Sequence, residues 1–160
     1  MSESELEFRD LFFDTFPKIP SHVRKLSIEQ CILVNTATEE IVLNEGLEHL
    51  RISFSSSIMR LIRKLPSTLK FLELRKTCGD ILPELPEGLE TLILTRERFK
   101  IYPSKFPESL KSINVYESSW IHIPEFPIGL DQLDIWGMYA KYLPKIPEPF
   151  AINDYYIYDD

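Results

Sequence analysis

Pro86-Glu-Gly-Leu89-Glu-Thr-Leu92-Ile-Leu94 is one copy of a phrase that runs along most of this 160-residue chain. The form Pro-x-x-Leu-x-x-Leu-x-Leu recurs upstream as Pro66-Ser-Thr-Leu69-Lys-Phe-Leu72-Glu-Leu74. Downstream it returns as Pro107-Glu-Ser-Leu110-Lys-Ser-Ile113-Asn-Val115 and Pro127-Ile-Gly-Leu130-Asp-Gln-Leu133-Asp-Ile135. The four prolines stand 20, 21 and 20 residues apart. A fixed period of this size marks a solenoid, in which each unit buries its apolar face only against its neighbours. Working outward, Pro20-Ser-His-Val23-Arg-Lys-Leu26-Ser-Ile28 fits, and so does Asn44-Glu-Gly-Leu47-Glu-His-Leu50-Arg-Ile52, with Asn in the proline's place. At the other end Pro147-Glu-Pro-Phe150-Ala-Ile-Asn153-Asp-Tyr155 keeps the outline but puts Asn153 at a core position. About seven short repeats result, the last degenerate as a terminal cap often is.

Within a unit, Leu-x-Leu alternates with period two and predicts a short strand with one buried face. Strands recurring at this interval leave no room for an antiparallel return, so they stack in parallel through right-handed crossovers. The return path carries Leu82-Pro-Glu-Leu-Pro86, Ile123-Pro-Glu-Phe-Pro127 and Leu143-Pro-Lys-Ile-Pro147. Prolines three apart exclude a helix and suit an extended polyproline-like back. The two earliest units are longer, 24 and 22 residues, and leave room for a helical turn around Ser57–Ile62. Little other helix is expected.

This pattern resembles leucine-rich repeats of the short class. Leu-Pro-x-Leu-Pro-x-x-Leu-x-x-Leu-x-Leu is similar to the repeats of bacterial type III effectors. Ile19-Pro-Ser-His-Val23 and Leu65-Pro-Ser-Thr-Leu69 are also similar to FNIP repeats of amoebae and their large DNA viruses. The resemblance covers residues 16–158 and implies a leucine-rich repeat solenoid with its parallel sheet on the concave face and a proline-rich convex back. One departure stands out. Leucine-rich repeats place Asn three residues after the last strand leucine, and here that position holds Cys31, Ser55, Thr77, Glu97, Ser118 and Met138. A weaker polar ladder is expected there. Residues 1–15 precede the repeat domain and read as an N-terminal cap over the open end of the core, or an interaction arm; Ser2-Glu-Ser-Glu5 matches a capping box.

The net charge of −7 argues against general nucleic-acid binding and against docking on an anionic membrane. No apolar stretch approaches the ~18 residues of a membrane span. The acidic start, Met1-Ser-Glu-Ser-Glu, does not look like a secretory signal, so a cytoplasmic address is expected, or a virion if the chain is viral. Cys31 and Cys78 fall two turns apart, about 10 Å at ~4.8 Å per strand, too far for a disulfide. Both are expected as buried free thiols.

Residues between the core leucines point outward, in three columns. The C-terminal end of the third column puts Tyr116, Trp136 and Tyr156 in a run, flanked in the middle column by Asn114, Asp134 and Asp154. Aromatics beside carboxylates suit a cation-bearing side chain of a protein partner. The alternative is that the rings pack on one another or lie under the tail. The N-terminal half carries Lys25, Arg51, Arg75, Lys76 and Arg96 with Glu29 and Glu73, and reads as a solvated, ion-paired face. His22, His49 and His122 fall in unrelated places, and no phosphate loop, Ser/His/Asp set or Cys/His cluster appears. The expectation is a non-catalytic protein-binding module, an effector or adaptor, with no cofactor, metal or small-molecule substrate. The second reading is a structural component of a larger assembly such as a viral particle.

Overall fold

The computed structural model describes residues 4–35, 39–150 and 157–158. The chain begins with strands β1 (Glu5–Arg9), β2 (Phe12–Phe13), β3 (Lys25–Glu29), β4 (Ile32–Leu33) and β5 (His49–Ser53). A one-turn helix α1 (Ser56–Met59) follows, then β6 (Phe71–Arg75), β7 (Cys78–Ile81), β8 (Thr91–Thr95) and β9 (Arg98–Ile101). β10 (Ser112–Tyr116), β11 (Gln132–Trp136) and β12 (Met138–Tyr139) lead to a 3₁₀ turn at Ala140–Tyr142, and β13 (Ile157–Tyr158) comes last. Together they wind a parallel β-solenoid of about six turns with very little helix.

The main sheet has the order β1-β3-β5-β6-β8-β10-β11. Its register follows the repeat: Leu26, Leu50, Leu72, Leu92, Ile113 and Leu133 stand side by side, as do Ile28, Ile52, Leu74, Leu94, Val115 and Ile135. In the five inner strands both rows are at most 2% exposed. Burying each such side chain contributes about 1.5–3 kcal/mol, which makes these rows the main source of stability.

The Pro-x-x-Leu half of each repeat is a turn. The leucine N–H donates to the proline carbonyl at Leu69–Pro66 (3.1 Å), Leu89–Pro86 (3.0 Å) and Leu110–Pro107 (3.2 Å). Asn44 serves in the proline's place, its carbonyl accepting from Leu47 at 3.1 Å. Its side chain also accepts from the Gly46 N–H at 2.9 Å and donates to the Pro20 carbonyl at 3.1 Å. The proline-bearing backs take no regular structure, as an extended return path requires. Short side pairs β2–β4, β7–β9 and β12–β13 lie just past the main sheet, an addition the repeat phrase does not announce.

The N-terminal segment continues the solenoid. β1 pairs with β3 in the register of the repeats, Leu6 beside Leu26 and Phe8 beside Ile28, and Ser4 accepts hydrogen bonds from the Arg24 and Lys25 N–H groups. Residues 1–15 thus contribute a strand, β1, to the main sheet. Seven strands form the sheet, but their count is shifted against the seven repeats: β1 is added, and the strand portion of the unit from Pro147 lies outside the described residues. The helical turn expected near Ser57 is α1, with Ile58 and Met59 buried. Both cysteines are free, Cys31 buried as expected but Cys78 only half-buried, at the start of β7.

Each main strand ends in a left-handed corner. Asp10, Gln30, Phe54, Lys76, Arg96 and Glu117 have φ between 46° and 53°, and Gly137 has φ 70°. The non-glycine corners cost about 1–2 kcal/mol each. Their N–H groups extend the ladder one rung, from Asp10 to the Glu29 carbonyl (3.0 Å) through Glu117 to that of Trp136 (2.8 Å). From the second corner on, the next residue stands where leucine-rich repeats place asparagine, and Cys31, Ser55, Thr77, Glu97 and Met138 are buried there, whereas Leu11 after the first corner is 40% exposed. Ser55 Oγ accepts from the Cys31 N–H at 3.0 Å, while Ser57 Oγ accepts from Leu33 (2.9 Å) and Ser56 Oγ from Cys78 (3.0 Å). Glu97 is fully buried; its Oε1 accepts from the Tyr102 hydroxyl at 3.1 Å and from Ser118 Oγ. Glu97 Oε2 and Thr77 Oγ1 have no hydrogen-bond partner among the described residues. Burial raises the Glu97 carboxyl to about 7. The polar ladder is thus broken in places, while the strand register is not.

Candidate functional site

Alternation along the main strands throws every second side chain to the outward face, and the common register lines them up. The third column runs Arg9, Glu29, Ser53, Arg75, Thr95, Tyr116 and Trp136 across neighbouring strands. The corner residues Phe54, Lys76, Arg96 and Glu117 stand immediately beyond it. These two rows enclose a groove of about 310 Å³, lined by Phe54, Arg75, Lys76, Thr95, Arg96, Tyr116, Glu117 and Trp136.

Three aromatic rings, three cations and one carboxylate line this groove. Tyr116 and Trp136 meet edge to face, with ring centroids 6.3 Å apart and planes at 66°. Trp136 remains 39% exposed. Lys76 Nζ sits 4.8 Å above the centre of the Phe54 ring. Arg96 forms a two-pronged ion pair with Glu117, which draws the Glu117 carboxyl below its ordinary value. Partial burial, then the Asp134 charge, pushes the Tyr116 hydroxyl up. Arg75 shares Glu73 with Arg51, at 2.6 and 3.0 Å, so this carboxylate meets two guanidinium groups while only 9% exposed. Positive charge exceeds negative here, on a chain whose net charge is −7.

Of the residues singled out from the sequence, Tyr116 and Trp136 are brought together on the groove wall. Asn114 and Asp134 are in register on the middle column, next to the rings. Asn114 is 8% exposed and donates to Ser112 Oγ at 3.3 Å; Asp134 Oδ2 accepts from Gln132 Nε2 at 2.7 Å. Tyr156 and Asp154 lie outside the described residues. The cations that face the rings are Arg75, Lys76 and Arg96, which sequence reasoning had assigned to a separate, solvated half. The signal was the corner: without knowing that strands end in a left-handed turn, Phe54, Lys76 and Arg96 cannot be placed beside the third column.

Elsewhere on this face His49 stacks on Phe71 (5.5 Å, 22°), and Arg51 lies 5.2 Å over the same ring. Partial burial, then Lys25, lowers the His49 pKa. His122 packs instead against Tyr142, in another coil. Among the described residues no group of three or more His, Cys, Asp or Glu side chains is placed to hold a metal. Among them, too, no helix is long and apolar enough to cross a membrane. With the geometry in place, comparison of the chain with protein-family models and with curated proteins finds no match in either.

Proposed function

We propose that this chain is a non-catalytic protein-binding module of the leucine-rich repeat kind, whose outward sheet face is the concave one. Its partner offers an acidic segment to the groove between Lys76, Arg96, Tyr116 and Trp136. One observation carries the reading: the groove joins exposed aromatic surface to an excess of cations on an otherwise acidic protein. Aromatic and arginine side chains supply most hot-spot energy at protein interfaces, and the cations select carboxylates by pairing and by steering. The cation-seeking site expected from Asp134 and Asp154 is less favoured, because Asp134 is engaged with Gln132 and the groove's own cations repel a positive ligand.

A random peptide library displayed against the immobilised chain tests this. Wild type should enrich peptides rich in Asp and Glu with an aromatic or aliphatic anchor. The Tyr116→Ser/Trp136→Ser variant, with its melting transition retained, should not. Peptides without acidic bias, or the same peptides on both proteins, would place the site elsewhere.

A further inference from the structure

Among the described residues the main sheet ends on β1 at one side and on β11 at the other. Residues 151–156 of the last repeat, which follow β11 in the sequence, lie outside the described residues. β1 has β3 on one side and, among the described residues, no strand on the other. Residues of a parallel strand alternate, one turning both its N–H and C=O to the neighbour and the next turning both away. The Ser4 carbonyl accepts from Lys25 and the Asp10 N–H donates to Glu29, each at 3.0 Å, so Leu6 and Phe8 face β3. Glu5, Glu7 and Arg9 therefore present their backbone groups to the open edge. Exposed edges of this kind pair with another strand unless their side chains forbid it.

We propose that β1 pairs antiparallel with β1 of a second copy of this chain, about a two-fold axis at Glu7. That register lets all three outward residues exchange both backbone hydrogen bonds with the residue opposite. It places Glu5 against Arg9 of the copy, twice by symmetry. Glu7 meets its own equivalent, and Arg9 Nη2 of the same strand, 2.9 Å from Glu7 Oε1, offsets that repulsion. On the inward face Leu6 falls opposite Phe8 of the copy. Both are only partly buried, whereas Leu26 and Ile28 in the next coil are 2% and 0% exposed. The same open end carries the Phe8–Phe13–Phe16 cluster, with centroids 5.3–5.8 Å apart, and Leu11 at 40% exposure. A second copy completes the burial of this first coil as each inner coil is completed by its neighbour. The self-complementary order of Glu5, Leu6, Phe8 and Arg9 favours a copy over an unrelated strand. The two-fold closes the assembly, so a dimer forms and not a fibre. The outward groove stays open in both copies, independent of this contact.

Sedimentation equilibrium on the full chain, with circular dichroism to verify folding, tests the proposal. Wild type should reach twice the 18.8 kDa of one chain. Glu5→Arg alone and Arg9→Glu alone should each lose the dimer, since each sets like charges opposite at both ends of the pair. An equimolar mixture of the two should recover it, because the new arginine then faces the new glutamate while Glu5 faces Arg9 at the other end. A wild type that stays monomeric, variants that still dimerise, or a mixture that stays monomeric would each overturn the proposal. If the charge variants unfold, Glu7→Pro decides: its N–H points to the open edge, so the β1–β3 ladder survives. A folded, dimeric Glu7→Pro chain would overturn the proposal, and a folded monomer supports it.

Discussion

Ser55 and Glu97 occupy the same place in two coils, the first inward residue after a left-handed corner, and they solve it differently. Ser55 is 1% exposed and closes its bonding locally, accepting from Cys31 N–H and donating to the Ser53 carbonyl at 2.8 Å. Its two serine neighbours tie α1 to the coils before and after. Glu97 is buried as deeply but carries a group that can ionise, held by two hydroxyls on one oxygen and by none on the other. The space around it is aromatic, with Tyr102 stacked on Trp120 at 4.8 Å and Phe106 against Trp120 at 5.3 Å. Cys31 and Met138, buried at the same place in other coils, show that the corner does not require a polar side chain, only one that fits inside. A hydroxyl makes it indifferent to pH, and a carboxyl makes it sensitive.

The largest expected effect separates these two corners by titration. The folded chain keeps the Glu97 proton to about pH 7, whereas an unfolded chain releases it near 4.5. Between those values the folded state binds more protons, so stability falls as pH rises, by roughly 3 kcal/mol in total. Urea unfolding at pH 4.5 and pH 8 should show this component in wild type and not in Glu97→Gln, whose amide remains neutral throughout. A Glu97→Gln chain with the wild-type pH profile would contradict the assignment. Next in size, Ser55→Ala leaves the buried Cys31 N–H without an acceptor and should cost about 2 kcal/mol by chemical denaturation. That loss should be equal at both pH values. Gly137 extends the comparison to the corner itself. Its φ of 70° and a Cβ that would lie 2.7 Å from Glu117 Cγ predict a cost of about 1–2 kcal/mol for Gly137→Ala. The reverse change, Gln30→Gly, relieves a left-handed residue but frees the unfolded chain. It should gain only about 0.5 kcal/mol in the same assay.

The fold was legible because leucine spacing states where each strand lies and which face is buried. Leu72, Leu74, Leu92 and Leu94 align as their positions in the phrase require. The corners were not legible, because a left-handed turn is announced by glycine, and only Gly137 carries one; Gln30, Phe54, Lys76 and Arg96 adopt it under the pull of the ladder. The same gap hid half of the candidate site. Tyr116 and Trp136 could be read from the strand period, but the cations that face them could not. β1 escaped for another reason. Glu5-Leu-Glu-Phe-Arg9 alternates as a strand should, yet it lacks the Pro-x-x-Leu turn that marks the other units.

The charge preference of the groove separates a binder of acidic segments from any other use of this face. Fluorescence titration of an acidic peptide enriched by the wild-type chain, repeated with Lys76→Glu/Arg96→Glu, measures it. The expected result is at least about a tenfold loss of affinity, or ~1.4 kcal/mol, with binding partly restored by a peptide whose acidic residues are replaced by lysine. Equal affinity of the acidic peptide for both proteins would show that the groove between Lys76, Arg96, Tyr116 and Trp136 is not where a partner binds.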